Sequence, residues 1–127
     1  MSGIGLGVVK VRGRSMEPAL HTGDRLVVLR GARPRVGRMA IVRLPPDDDG
    51  VPRPLAIKRV TRRDPADPSR FWVEADNQSA DGVVDSWTLG HGFHRAEIRA
   101  LVLFRVPERL PIPWRLLRRI RRQLRRI

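Results

Sequence analysis

Ser15 stands in the run Gly13-Arg14-Ser15-Met16-Glu17-Pro18-Ala19-Leu20, just past a β-branched stretch and beside a glycine. A serine presented at such a turn becomes a nucleophile only when a nearby base takes its proton. Alone, it reads equally well as an ordinary turn residue. The histidines are His21, in a turn six residues further on, and His91 and His94, which flank Gly92-Phe93 in a loop. Nothing in that spacing assembles a Ser-His-Asp triad, and the His91/His94 pair lacks the other ligands of a zinc site. Cysteine is absent, which removes disulfides, thiolate metal sites and a cysteine nucleophile. Asp47-Asp48-Asp49-Gly50 lacks the further spaced ligands of a calcium loop and reads as a solvated turn. No metal or cofactor is expected.

Lysine is the scarcer and more informative base. Only two of the 26 basic residues are lysines, Lys10 and Lys58, so arginine supplies positive charge everywhere else. In Leu55-Ala56-Ile57-Lys58-Arg59-Val60, strand alternation puts Lys58 on one face with Ala56 and Val60. An ammonium between apolar neighbours is desolvated and loses basicity from a reference of about 10.4. Working as a base near neutrality needs a fall to about 7–8, on the order of 4 kcal/mol of differential solvation. Arginine cannot do this, because its pKa stays above about 12. The bland alternative is a lysine snorkelling from a strand edge.

These side chains need a scaffold, and the 127 residues suffice for one domain. Apolar residues make up 41% and aromatics only 5%, so the core must be aliphatic, which suits a β-rich fold. Short β-branched runs between Gly, Pro and Asp turns predict strands at 8–11, 25–29, 38–44, 55–62, 71–75 and 98–106. The segment 45–54 reads as a loop and 76–97 as irregular. A brief coil is expected after Ser15, over Met16 to Leu20. Residues 1–106 form the expected catalytic core and 107–127 a separate tail.

The tail differs in kind. Pro107, Pro111 and Pro113 break it from the last strand, and eight arginines with no acid follow from Arg109 onward. This accounts for +8 of the net +13. Leu116, Leu117, Ile120, Leu124 and Ile127 recur at helical spacing after Trp114, predicting a basic amphipathic helix. Such a helix suits an anionic membrane surface or an acidic protein partner. It could also simply dock its aliphatic stripe on the body. A specific nucleic-acid partner is not expected. No membrane span and no secretory signal are recognised, so a cytoplasmic protein, with peripheral contact at the inner face of the membrane, is the expectation.

The Gly-x-Ser-Met-x-Pro-x-Leu run ending at Leu20, then Gly23-Asp24, then Ile57-Lys58-Arg59-Val60, resembles the type I signal peptidase family of Ser/Lys endopeptidases. Glu74-Ala75-Asp76-Asn77 followed by Val84-Asp85-Ser86 is similar to that family's Gly-Asp-Asn…Asp-Ser segment. The resemblance spans roughly residues 7–106. It implies a mainly β fold: a coiled β-sheet core shared by signal peptidases and repressor autoproteases, with the basic helix appended. It implies Ser15 as nucleophile and Lys58 as base, with the Ser15 N–H as an oxyanion donor. Gly13 occupies the place where some relatives offer a hydroxyl. Met16 and Pro18 would shape the groove beside Ser15, while Asp76, Asn77, Asp85 and Ser86 would brace the loop around Lys58.

Departures from the pattern sharpen the comparison. Ala75 replaces the usual glycine, and Trp87 replaces an arginine expected after Asp85-Ser86. The family serine near the lysine falls at Val83, leaving Ser79 as a substitute. Only 14 residues precede Ser15, so no membrane anchor is expected there, and the span from Lys58 to Asp76 leaves no room for an extra β domain. A short chain with Val84-Asp85-Ser86-Trp87 and an arginine-rich end looks most like the nickel-type superoxide dismutase maturation proteases. That likeness implies a precursor protein as substrate, from which an N-terminal extension is removed. The competing readings are a general signal-peptidase-like enzyme at the membrane surface, a self-cleaving repressor, and a non-catalytic basic β-domain.

Overall fold

Strands form where β-branched residues run between turn formers. The computed structural model describes residues 4–119 and 124–126. Six strands occupy the expected runs: β1 (Gly5–Lys10), β2 (Arg25–Arg30), β3 (Met39–Arg43), β4 (Leu55–Arg63), β5 (Phe71–Glu74) and β6 (Ile98–Val106). They join one sheet in the order β5-β4-β3-β6-β2-β1, every pair antiparallel. The fold is mainly β, as expected. β6 returns from the far end of the chain to lie between β2 and β3, so the sheet closes only when residue 98 onward is in place. Bulges at Val27/Val28, Ile41/Val42 and Val60/Arg62 add the local twist that coils such a sheet.

Alternation sends side chains to two aliphatic clusters. One gathers Val9, Val11, Leu26, Val28, Ile41, Ile57, Ala100 and Val102 with Met16 and Leu20 from the turn after β1. The other gathers Ala40, Val42, Val60, Val73 and Ile98 with Phe71 and Phe93. Phe93 is drawn in by a two-way backbone bridge to Phe71, at 2.8 and 2.7 Å. Next to it the Gly92 N–H donates to Asp64 Oδ2 at 2.7 Å. Both Asp64 oxygens accept backbone amides, those of Ala66 and Gly92, which lowers the carboxyl pKa despite burial.

Two expectations need correction. The segment 76–97 is not wholly irregular, since it holds α1 (Ser86–Leu89) and a 3₁₀ turn at Arg95–Glu97. One turn of helix is too short to leave a periodic signal; its cap is what stabilises it. The tail is not one amphipathic helix. Helix α2 covers only Trp114–Leu117, and Leu124–Arg126 forms β7, parallel to β1 with Val8 opposite Leu124. Residues 120–123 and 127 of the expected helix lie outside the described residues. A short basic helix is marginal in water, whereas β1 otherwise presents an edge of unpaired backbone groups that a strand satisfies. Among the described residues no helix is long and apolar enough to cross a membrane.

A Cβ at Gly92 would lie 2.9 Å from the Phe71 carbonyl oxygen and 3.0 Å from Asp64 Cβ. Gly92→Ala should therefore destabilise the domain by about 1–3 kcal/mol, read as a lower midpoint in urea melts.

Candidate active site

Ser15 is positioned by a turn whose ends are tied at both sides. Gly13 has φ +88°, a conformation that favours glycine, and it lets the chain leave β1 sharply. The Thr22 hydroxyl accepts from the Gly13 N–H at 3.1 Å and donates to the Gly13 carbonyl at 3.0 Å. Beyond Ser15 the Leu20 N–H donates to the Met16 carbonyl at 3.0 Å, the brief coil that the sequence predicts. Met16 is 2% exposed and anchors the turn in the first cluster. Ser15 is half-buried, while Gly13 and Pro18 are exposed.

The loop after β5 clamps this turn. The Asn77 N–H donates to the Ser15 carbonyl at 2.8 Å, and Asn77 Nδ2 donates to the Arg14 carbonyl at 3.0 Å. The Asp76 N–H approaches Met16 Sδ at 3.4 Å. Asp76 also takes a two-pronged ion pair from Arg59, each N–O distance being 2.8 Å. Asp76 and Asn77 thus join the serine turn to β4, the strand that carries Lys58.

Lys58 lies opposite Ala40 and is 3% exposed, on the face of its strand shared with Ala56 and Val60. Burial lowers its pKa from 10.5, and the Asp85 carboxylate partly opposes that fall. Asp85 is fully buried and satisfied by other groups. It accepts from the Ala75 N–H at 3.1 Å, Gln78 Nε2 at 2.9 Å, and the Trp87 and Thr88 N–H groups at 3.0 and 3.2 Å. The last two make it the N-cap of α1, and Thr88 Oγ1 completes the box by accepting from the Asp85 N–H at 2.8 Å. Buried Ser86 accepts from the Val73 N–H at 2.9 Å, holding α1 against β5.

Sequence reasoning missed Thr22 and Gln78. Gln78 Nε2 also donates to the Ala75 carbonyl at 2.6 Å, bridging the loop to Asp85. No motif flags it, but its position two residues past Asp76 placed it in the right loop. Ser79 is exposed, with its amide donating to Asn77 Oδ1 at 3.2 Å. Trp87, in the place of the expected arginine, packs edge-on against Trp72 at 5.2 Å, with Arg62 over both rings.

An opening brings Ser15 to the strand of Lys58. β5 pairs with β4 only from Arg59 onward, opposite Glu74. Among the described residues, the outer edge of β4 from Leu55 to Lys58 has no strand partner. A pocket of about 260 Å³ lies there, between Val11, Gly13 and Ser15 on one wall and Pro54 to Ile57 on the other. Among the described residues, neither Ser15 Oγ, the Ser15 N–H nor Lys58 Nζ has a hydrogen-bond partner, so the two side chains are not bonded to each other. Contacts of this type often tighten only when substrate binds. Among the described residues no three metal-ligating side chains cluster.

The family model described as Peptidase S24-like matches residues 4–84. The chain belongs to this Peptidase S24-like family. Membership supports a protease-like function of the serine peptidase type. The match takes in the Ser15 turn, Lys58 and the Asp76-Asn77 loop, and it stops one residue short of Asp85. No curated protein and no solved structure matches the chain.

Two stability predictions follow from the buried pair. Asp85→Ala strips four donors of their acceptor and should cost about 3 kcal/mol or more, measured by chemical denaturation. For Lys58, the unfolded chain holds the proton more tightly than the folded one. Stability should thus rise with pH between the lowered Lys58 value and 10.5. Lys58→Met should remove that dependence and melt higher at neutral pH, with the gap closing in alkali.

Proposed function

We propose that the chain is an endopeptidase in which Ser15 is the nucleophile and Lys58 its base. Its substrate is a precursor protein that loses an N-terminal extension, and the motif likeness favours nickel-type superoxide dismutase. The observation that carries the reading is Lys58: a residue only 3% exposed, its amine depressed in basicity by burial, on the strand whose open edge lines a pocket with Ser15.

Neutral Lys58 accepts the Ser15 hydroxyl proton as Oγ attacks the scissile carbonyl. The oxyanion that forms is met by the Ser15 N–H, which is otherwise without an acceptor among the described residues. The lysine ammonium then gives its proton to the leaving amine, and the acyl-enzyme ester remains. Water, deprotonated by the same amine, hydrolyses the ester and returns Ser15 to its hydroxyl form. An extended substrate adds to the free edge of β4, where main-chain hydrogen bonds hold it in register. Asp76 and Asn77 keep the serine turn against that edge, and Asp85 and Ser86 hold the loop that buries the amine.

Ser15→Ala and Lys58→Ala should each lower kcat/KM on a nickel-type dismutase precursor by at least about 10³-fold, with circular dichroism unchanged. Lys58→Arg should be equally inactive, because arginine keeps its proton. The wild-type rate should climb with pH through the depressed Lys58 value, below 10.5. Wild-type turnover by the Lys58→Ala protein at neutral pH overturns the dyad. Cleavage of another precursor but not this one overturns only the choice of substrate.

A further inference from the structure

The sheet face that carries the Ser15 pocket continues past Leu55 into a larger hollow of about 680 Å³. Leu55 lines both, so the two adjoin at that residue. The floor of the hollow is aliphatic, built from Val9, Val28, Ile41 and Ala100 on four different strands. Its walls carry Arg30, Arg43, Arg95 and Arg99, and among the described residues no acidic or aromatic one lines it.

The backbone is arranged to bring these arginines together. Arg30 reaches over β1 where Gly5 and Gly7 have no side chain; a Cβ at Gly5 would lie 3.2 Å from its Nη2. The Arg95 guanidinium is fastened to the carbonyls of Ile98 and Gly31, at 3.3 and 2.9 Å. Arg99 is the extra residue of the β6 bulge, since Ile41 pairs with Ala100 and Val42 with Ile98. A bulge takes its residue out of strict alternation and re-aims the side chain. Arg43 and Arg99 are exposed, and neither has an ion-pair partner among the described residues.

The charges of Arg43, Arg95 and Arg99 over an aliphatic floor, with no carboxylate lining the hollow among the described residues, suit a chain that is both acidic and apolar. With no aromatic side chain lining it among the described residues, the hollow lacks the stacking platforms that hold single-stranded nucleic acid. From β4 to β1 the hollow crosses four strand spacings, about 19 Å. That is the reach of about six extended residues.

We infer that this hollow holds an acidic, aliphatic stretch of the peptide substrate, within about six residues of the bond that Ser15 attacks. The inference rests on the peptidase reading and adds to it the feature by which a precursor is chosen. Edge pairing at β4 is indifferent to side chains, whereas the arginine walls are not.

Binding to the Ser15→Ala protein tests this without any need for turnover. Two fluorescein-labelled peptides are compared by anisotropy at about 0.1 M salt, one alternating Glu and Leu, the other with Gln in place of Glu. The acidic peptide should bind at least about tenfold more tightly. Arg43→Glu with Arg99→Glu, or the milder Arg43→Gln with Arg99→Gln, should abolish that preference. Arg118→Glu with Arg119→Glu, in the tail, should preserve it. Equal binding of the two peptides, or an equal loss in the tail variant, overturns the inference. Displacement of the acidic peptide by an equimolar oligothymidylate also overturns it and assigns the hollow to nucleic acid. None of these outcomes alters what the Ser15 and Lys58 variants report on cleavage.

Discussion

A lysine amine taken out of water is the constraint around which this domain is arranged. Burial makes the charged form costly, which lowers the pKa of the amine and favours its neutral form. That state survives only if nothing nearby offers full compensation. Asp85 could do so, yet its oxygens are occupied by three backbone amides and the Gln78 side chain. The carboxylate therefore serves the backbone first and the lysine second. The same bonds cap α1 and tie it to the loop after β5.

That loop links the strand of Lys58 to the turn of Ser15 mechanically. Asn77 holds the serine turn by two backbone carbonyls, and Asp76 grips Arg59, the residue after Lys58. Displacing the loop would release the Ser15 turn and Arg59 together. Met16, buried beneath, gives the turn a fixed floor while leaving Ser15 half-exposed at the edge of β4. β5 stops at Glu74, and this early ending is what leaves β4 open beside the serine.

Much of this was legible in the residues. Short β-branched runs between turn formers located all six antiparallel strands, and period-two alternation put Lys58 on one face with Ala56 and Val60. The order of three short motifs pointed to a peptidase, and the Peptidase S24-like match agrees in kind. Helix α1 was hidden because one turn has no period, although Asp85 with Thr88 spells its cap. The tail misled for the opposite reason. Its leucines and isoleucines keep helical spacing, but Leu124–Arg126 answers the hydrogen-bonding need of β1, which no local pattern records. Gln78 and Thr22 went unnoticed because their roles are to satisfy partners that only folding supplies.

The chain's own chemistry named the candidate groups: a serine at a glycine turn, and one of two lysines that, unlike the many arginines, can lose a proton. Side-chain type and strand period are local properties, and so they are written in the sequence. Tertiary structure decided the rest. It sets how deeply the amine is buried, which edge of β4 stays open, and how a bulge and two glycines collect arginines from separate strands over one floor. Those outcomes depend on contacts between residues tens of positions apart, and desolvation and charge density belong to such assemblies rather than to any single residue.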